Sequence, residues 1–219
     1  MTETGASLAA LLQQVPEPLL RHLPDLALAA ALAWGAGLRL YLVVFLVGIL
    51  GRFGGWPLPE HLSLLAHPLV LGASGFMALV ELFADKLPWL DSVWDALNTF
   101  VRIPAGAALA AAVFGASGAA ATLAAALLGG TVAATTHFAK SGTRAAVNTS
   151  PEPFSNLAVS LGEDTLVPAG IWLAVAHPAI FLALLLLFLG AAALLVRGLL
   201  RGLRRLSGAY RAGATRPGG

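Results

Sequence analysis

The side chains able to do chemistry in this chain are few, and several stand inside apolar sequence. Charged residues are 11% of 219 positions and hydrophobic ones 58%, so each charge within an apolar run is informative. Arg39 interrupts the run Leu26 to Leu50. A cation at mid-membrane costs about 2.5–3.5 kcal/mol on insertion scales and needs a partner or a water-filled cavity. Glu81, near the end of the next apolar run, is the expected partner, and the pair would serve either helix packing or a substrate or proton site. Asp85, Lys86, Asp91 and Asp95 then place three carboxylates at one polar tip, with Asp91 and Asp95 one helical turn apart. Hard cations take such oxygen ligands, but a solvated polar face with Asp91 at a helix start accounts for the same pattern more simply. In a second polar stretch, Lys140 and Arg144 are spaced to face a phosphate, or simply to anchor the cytoplasmic side. Asn148, Ser155, Asn156 and Ser160 offer hydrogen bonds to a polar headgroup, while Glu152, Glu163 and Asp164 would complete an acidic site. His137 and His177 have no second histidine at metal spacing and are expected as hydrogen-bonding residues at helix ends.

No nucleotide-binding, zinc-hydrolase or serine-hydrolase motif occurs, and there is no cysteine. No catalytic residue and no cofactor is expected, and a metal is left unassigned. The net charge of +2 conceals an asymmetry. Residues 1 to 196 carry seven Lys or Arg against eleven Asp or Glu, and six arginines follow from Arg197. That tail directly follows an apolar helix and reads as a membrane anchor; nucleic acid is not an expected partner.

The elements that must position these residues are helical and membrane-embedded. Six apolar elements are expected, over 26 to 51, 68 to 86, 103 to 114, 119 to 140, 165 to 176 and 179 to 197. Ile103 to Thr136 runs for 34 residues without a charge, about 51 Å as one helix, too long for a single crossing. The Gly115 to Gly118 turn divides it, leaving 103 to 114, like 165 to 176, too short to span comfortably. Residues 1 to 25 read as an interfacial segment, 26 to 198 as the membrane domain and 199 to 219 as a basic, disordered tail. Phe83 to Lys86 (FADK) and Phe138 to Lys140 (FAK), each followed later by Pro-Ala-Gly, suggest a duplicated hairpin over 68 to 114 and 119 to 176. Counting Lys and Arg in the loops puts both termini and both polar tips on the cytoplasmic side of an inner membrane.

Gly37-Leu-Arg39, the stretch Val80 to Asp91 (VELFADKLPWLD), Asp95, Thr99 and Ala105-Gly106 resemble the motifs of the bacterial membrane-protein family catalogued as domain of unknown function 4126, over residues 27 to 198. The resemblance implies a multi-helix inner-membrane protein and no particular reaction. The reading that fits best is an all-α polytopic protein forming a pathway or binding cavity for a small solute, ion or lipid headgroup. A scaffold binding a cytoplasmic partner, or a metal-dependent lipid-modifying enzyme, are the alternatives. Membrane lipid is an expected partner, and self-association is left open.

Overall fold

A computed structural model describes residues 17 to 147 and 153 to 214, and every described regular element is helical. The helices are α1 (Glu17–Phe53), α2 (Pro68–Ala84), α3 (Pro88–Val113), α4 (Ala119–Val147), α5 (Pro153–Ala176) and α6 (Pro178–Ala214). Short 3-10 segments, Glu60–Ala66 and Gly115–Ser117, precede α2 and α4. Gly118 closes the second with φ 92°, a left-handed conformation that suits glycine, so the turn expected there is present. The chain forms two compact units, Met1–Leu182 and Ala183–Gly219, and everything below concerns the first. The second is by itself the remainder of α6, helical to Ala214 where a disordered tail was expected.

Among the described residues six α-helices stand where six apolar elements were expected, but their bounds differ. Residues 103 to 114 and 165 to 176 are not free-standing short helices. They are the distal halves of α3 and α5, which run unbroken past Pro104 and Pro168. The polar segments before them continue the same helical period, and a single proline in each costs one hydrogen bond without breaking the helix. Phe138 to Lys140 lies inside α4, which continues to Val147, so its match to Phe83 to Lys86 is one of residue type alone. Residues 17 to 25 belong to α1 and do not form a separate interfacial segment.

The largest departure is in α1, whose backbone leaves helical geometry at Arg39 (φ −146°, ψ 75°). In a straight helix residues 35 and 43 would be about 12 Å apart along the axis. Here a methyl added at Gly35 would stand 2.7 Å from Val43 Cγ2. Gly37 abuts Ala133 and Thr136, while Ala33 lies beside Gly129 and Gly106, so the first arm runs parallel to α4. Gly48 abuts Leu71 and Gly75 abuts Phe45, so the second arm runs antiparallel to α2. Both arms lead away from Arg39 in the same direction. α1 is therefore a helical hairpin with Arg39 at its apex, level with the end of α2, and it enters and returns where a single crossing was expected. Its Glu17 end points away from the α2–α3 turn.

By length and composition Val93–Val113, Ala119–Val147 and Leu157–Ala176 are each able to cross a membrane, as is the pair Glu60–Ala66 and Pro68–Ala84, bent by 67°. Arg21–Phe53 passes the same length test but is folded back. Exposed side chains include Phe76, Phe83, Leu97, Phe100, Leu127 and Trp172, while Arg39, Glu81, Asp85, Asp91, Arg102 and Arg144 are buried. This inverts the usual arrangement of a soluble domain and suits a lipid surround. Small residues let the backbones meet: a methyl on Gly106 would collide with Ala133, and one on Gly129 with Ala110. The protein is a multi-pass α-helical membrane protein.

Candidate functional site

Four helices each carry one polar stripe at helical spacing, and all four stripes converge on the α1 apex. In α3 the stripe is Asp91, Asp95, Asn98 and Arg102, separated by four, three and four residues, with Val93, Leu97 and Phe100 turned outward. In α4 it is Thr136, His137, Lys140 and Arg144; in α5, Ser160, Glu163 and Asp164; at the end of α2, Glu81 and Asp85. At about 1.5 Å per residue, Thr136 to Arg144 lie roughly 25 to 38 Å along α4 from its Ala119 end, so the convergence occupies the half of the bundle nearest the α2–α3 turn.

Arg39 binds Asp164 Oδ1 (2.8 Å) and Asp85 Oδ2 (3.1 Å) and donates to Ser160 Oγ (3.1 Å) and the Ser160 carbonyl (3.3 Å). Because the helix breaks there, the Leu38 carbonyl is free to accept from Lys140 Nζ at 3.1 Å. Lys140 also binds Asp85 (2.9 Å) and Glu163 (3.2 Å). Arg144 binds Glu163 Oε2 (2.9 Å) and donates to the Asp85 carbonyl (3.0 Å). A second cluster adjoins this one: Arg102 binds Glu81 Oε1 (2.5 Å) and Asp95 Oδ1 (2.6 Å) and donates to His137 Nδ1 (3.3 Å). Lys140, 3.7 Å from Asp95, joins the two. Four cations (Arg39, Arg102, Lys140, Arg144) thus meet six carboxylates (Glu81, Asp85, Asp91, Asp95, Glu163, Asp164).

Several expectations are corrected. Arg39 and Glu81 do not pair: the fold-back points Arg39 at Asp85, Glu163 and Asp164, and Glu81 takes Arg102. Asp91 and Asp95 do not form a solvated face, being 0% and 4% exposed, because the apolar side of α3 faces outward. Lys140 and Arg144 are neither surface anchors nor free for a phosphate, since both are buried in ion pairs. Lys86 is half-buried at the margin, its ammonium donating to the Leu82 carbonyl (3.0 Å). Glu163 and Asp164 are in the network as an acidic pair, on the apex and not on the α2–α3 turn alone. Asn148 and Glu152 lie outside the described residues, as does the side chain of Asn156. His137 is a hydrogen-bonding residue as expected, but it sits inside α4, with Nε2 2.7 Å from Thr99 Oγ1. Arg102 was missed as a site residue, although its spacing continues the Asp91, Asp95, Asn98 stripe.

One oxygen from each of Asp85, Asp91 and Asp95 lies within 4.8 Å of the others. Lys140 and Arg144 already reach these groups, with Arg144 Nε 3.9 Å from Asp91, so the cluster suits ion pairing better than a metal. Burial would raise the Asp85 carboxyl, but Lys140, Arg39 and Arg144 together hold it below the ordinary carboxylate range. Two cavities touch the network. One, about 290 Å³, is apolar and ends on Arg39 and Asp164. The other, about 220 Å³, lies between α3 and α4 over Asp95, Thr99, His137 and Ser141.

Fold and site together define a polytopic helical membrane protein built around a buried ion-pair network at the tip of a re-entrant helical hairpin. The chain belongs to the family described as domain of unknown function (DUF4126), whose model matches residues 26–198, a span that includes every residue of the network. No curated protein and no solved structure matches it.

Proposed function

We propose that the protein is a transporter-like membrane protein in which the network around the α1 apex is a gated binding site for a small polar solute or ion. The observation that carries this is the broken helix: the hairpin folds back at a buried charged residue, and the backbone carbonyl left over at the break is taken by Lys140. Irregular backbone survives there only where protein or water satisfies it, and transporters place such breaks at their binding sites. The 220 Å³ cavity supplies an approach from one side. We assign the protein to a bacterial inner membrane with the α2–α3 turn facing the cytoplasm, a choice supported by Lys86 in that turn.

Thr136 offers the test. It is fully buried against Gly37, and the natural chain has no cysteine, so Thr136→Cys is a silent reporter in the closed state. Labelling by a membrane-impermeant thiol reagent from each face in turn is expected if the site opens alternately. Labelling from neither face, in protein shown to be inserted, would overturn the proposal. One observation favours a second reading: each network cation already has a carboxylate within 4.0 Å, so the network is able to hold the fold without any ligand. A scaffold built this way would leave Thr136→Cys unlabelled and would retain a stoichiometric cytoplasmic partner on purification.

A further inference from the structure

The cavity between α3 and α4 has the His137 ring in its wall, beside Asp95, Thr99, Ser141 and Arg144. The neighbours of that ring dictate its state. A guanidinium has donors only, so Arg102, 3.3 Å from Nδ1, makes that nitrogen an acceptor. Nε2 then carries the hydrogen and donates to Thr99 Oγ1 at 2.7 Å, while the Thr99 hydroxyl donates to the Asp95 carbonyl at 3.0 Å. His137 is thus neutral, with its lone pair on Nδ1. The charged groups facing it are Arg102 and Asp95 from α3 and Lys140 from its own helix, and α1 presents the backbone of Gly37. Asp95 favours a positive ring while Arg102 and Lys140 oppose it, so uptake of a proton requires Arg102 to move away.

We infer that the proton is the coupling ion of the transport proposed above, on which this inference rests, and that His137 Nδ1 is the atom that binds it. A cavity water gives its proton to the Nδ1 lone pair and is reprotonated from bulk. The imidazole becomes an imidazolium, the hydrogen bond from Arg102 to Nδ1 is lost, and the Arg102–Asp95 ion pair is given up with it. Two donors then face each other, and Arg102 has somewhere to go. Its Nε and Glu81 Oε2 are both buried without a hydrogen-bond partner, so a shift toward Glu81 turns a single contact into a two-pronged one. The new Nδ1–H takes the Asp95 oxygen that Arg102 leaves. Proton binding thereby moves Arg102 from α4 toward α2, beside the apex of α1.

The full chain, with its histidines ¹⁵N-labelled, is reconstituted in lipid nanodiscs and followed by NMR from pH 8.5 downward, with His137→Gln assigning the signal. The expected result is an Nε2–H tautomer at high pH that converts to imidazolium as pH falls. In Asp95→Asn, which removes the receiving carboxylate, the midpoint is expected to move down by about one pH unit. A ring that stays neutral until the helical signal is lost, or one that carries its hydrogen on Nδ1, would overturn the assignment. The labelling rate of Thr136→Cys is measured across the same range. A titrating His137 that leaves this rate unchanged overturns the coupling and spares the transport reading. Protection of Thr136→Cys at every pH defeats the transport reading instead.

Discussion

At the scale of single residues, the decisive fact is which charge meets which. Removing one member of a buried pair leaves the other uncompensated, at a cost of about 3–5 kcal/mol. Arg102→Leu, which strands Glu81 and takes from Asp95 its nearest cation, is expected to fall in that range when unfolding of the purified chain is followed by SDS titration. A double-mutant cycle sharpens the point. Arg102 and Glu81 are expected to couple by about 0.5–3 kcal/mol, and more strongly than Arg39 and Glu81; the reverse order would refute the pairing described. Asp85 predicts a pH dependence. Its carboxyl is depressed in the folded state, so its contribution is complete above the unfolded value of about 3.9 and is lost as pH falls through the lower folded value. Asp85→Asn is expected to lower stability at pH 7 and to flatten the acid limb of a stability-against-pH curve. The sequence showed that Arg39 and Glu81 were buried charges needing partners, because apolar flanks make an intramembrane charge conspicuous. It did not show the pairing, which depends on a reversal of the chain between them.

At the scale of elements, α3 shows what was legible. Its polar stripe and apolar face are plain in the spacing of Asp91, Asp95, Asn98 and Arg102, but whether that stripe faces water or the bundle is decided by neighbours that period alone does not name. The α1 hairpin was less legible still: no proline marks the break at Arg39, Gly35 and Gly37 do not stand out in a chain with 24 glycines, and the run Leu26 to Leu50 has the length of an ordinary crossing. What permits the reversal is close packing. A side chain at Gly37 would meet the Ala133 carbonyl and Thr136 Cβ. Gly37→Val is therefore expected to abolish folded yield in size-exclusion chromatography. Gly142→Val, with nothing within 4 Å of the added carbon, should behave as wild type apart from a small loss of stability.

At the scale of the whole molecule, the reversal predicts on which face the first arm begins. Cysteines placed singly at His22 and at Leu87 are expected to be labelled by an impermeant reagent from opposite faces, and labelling from one face would mean that α1 crosses after all. The same feature sets a timetable. Arg39 is synthesised 121 positions ahead of Ser160, the first of its α5 partners, a delay of about 6 to 24 s at translation rates of 5–20 residues per second. During that interval the α5 acidic pair is absent, and Asp85, made 46 positions after Arg39, is the carboxylate available to it. The complete seat of the hairpin thus exists only once α5 has been made.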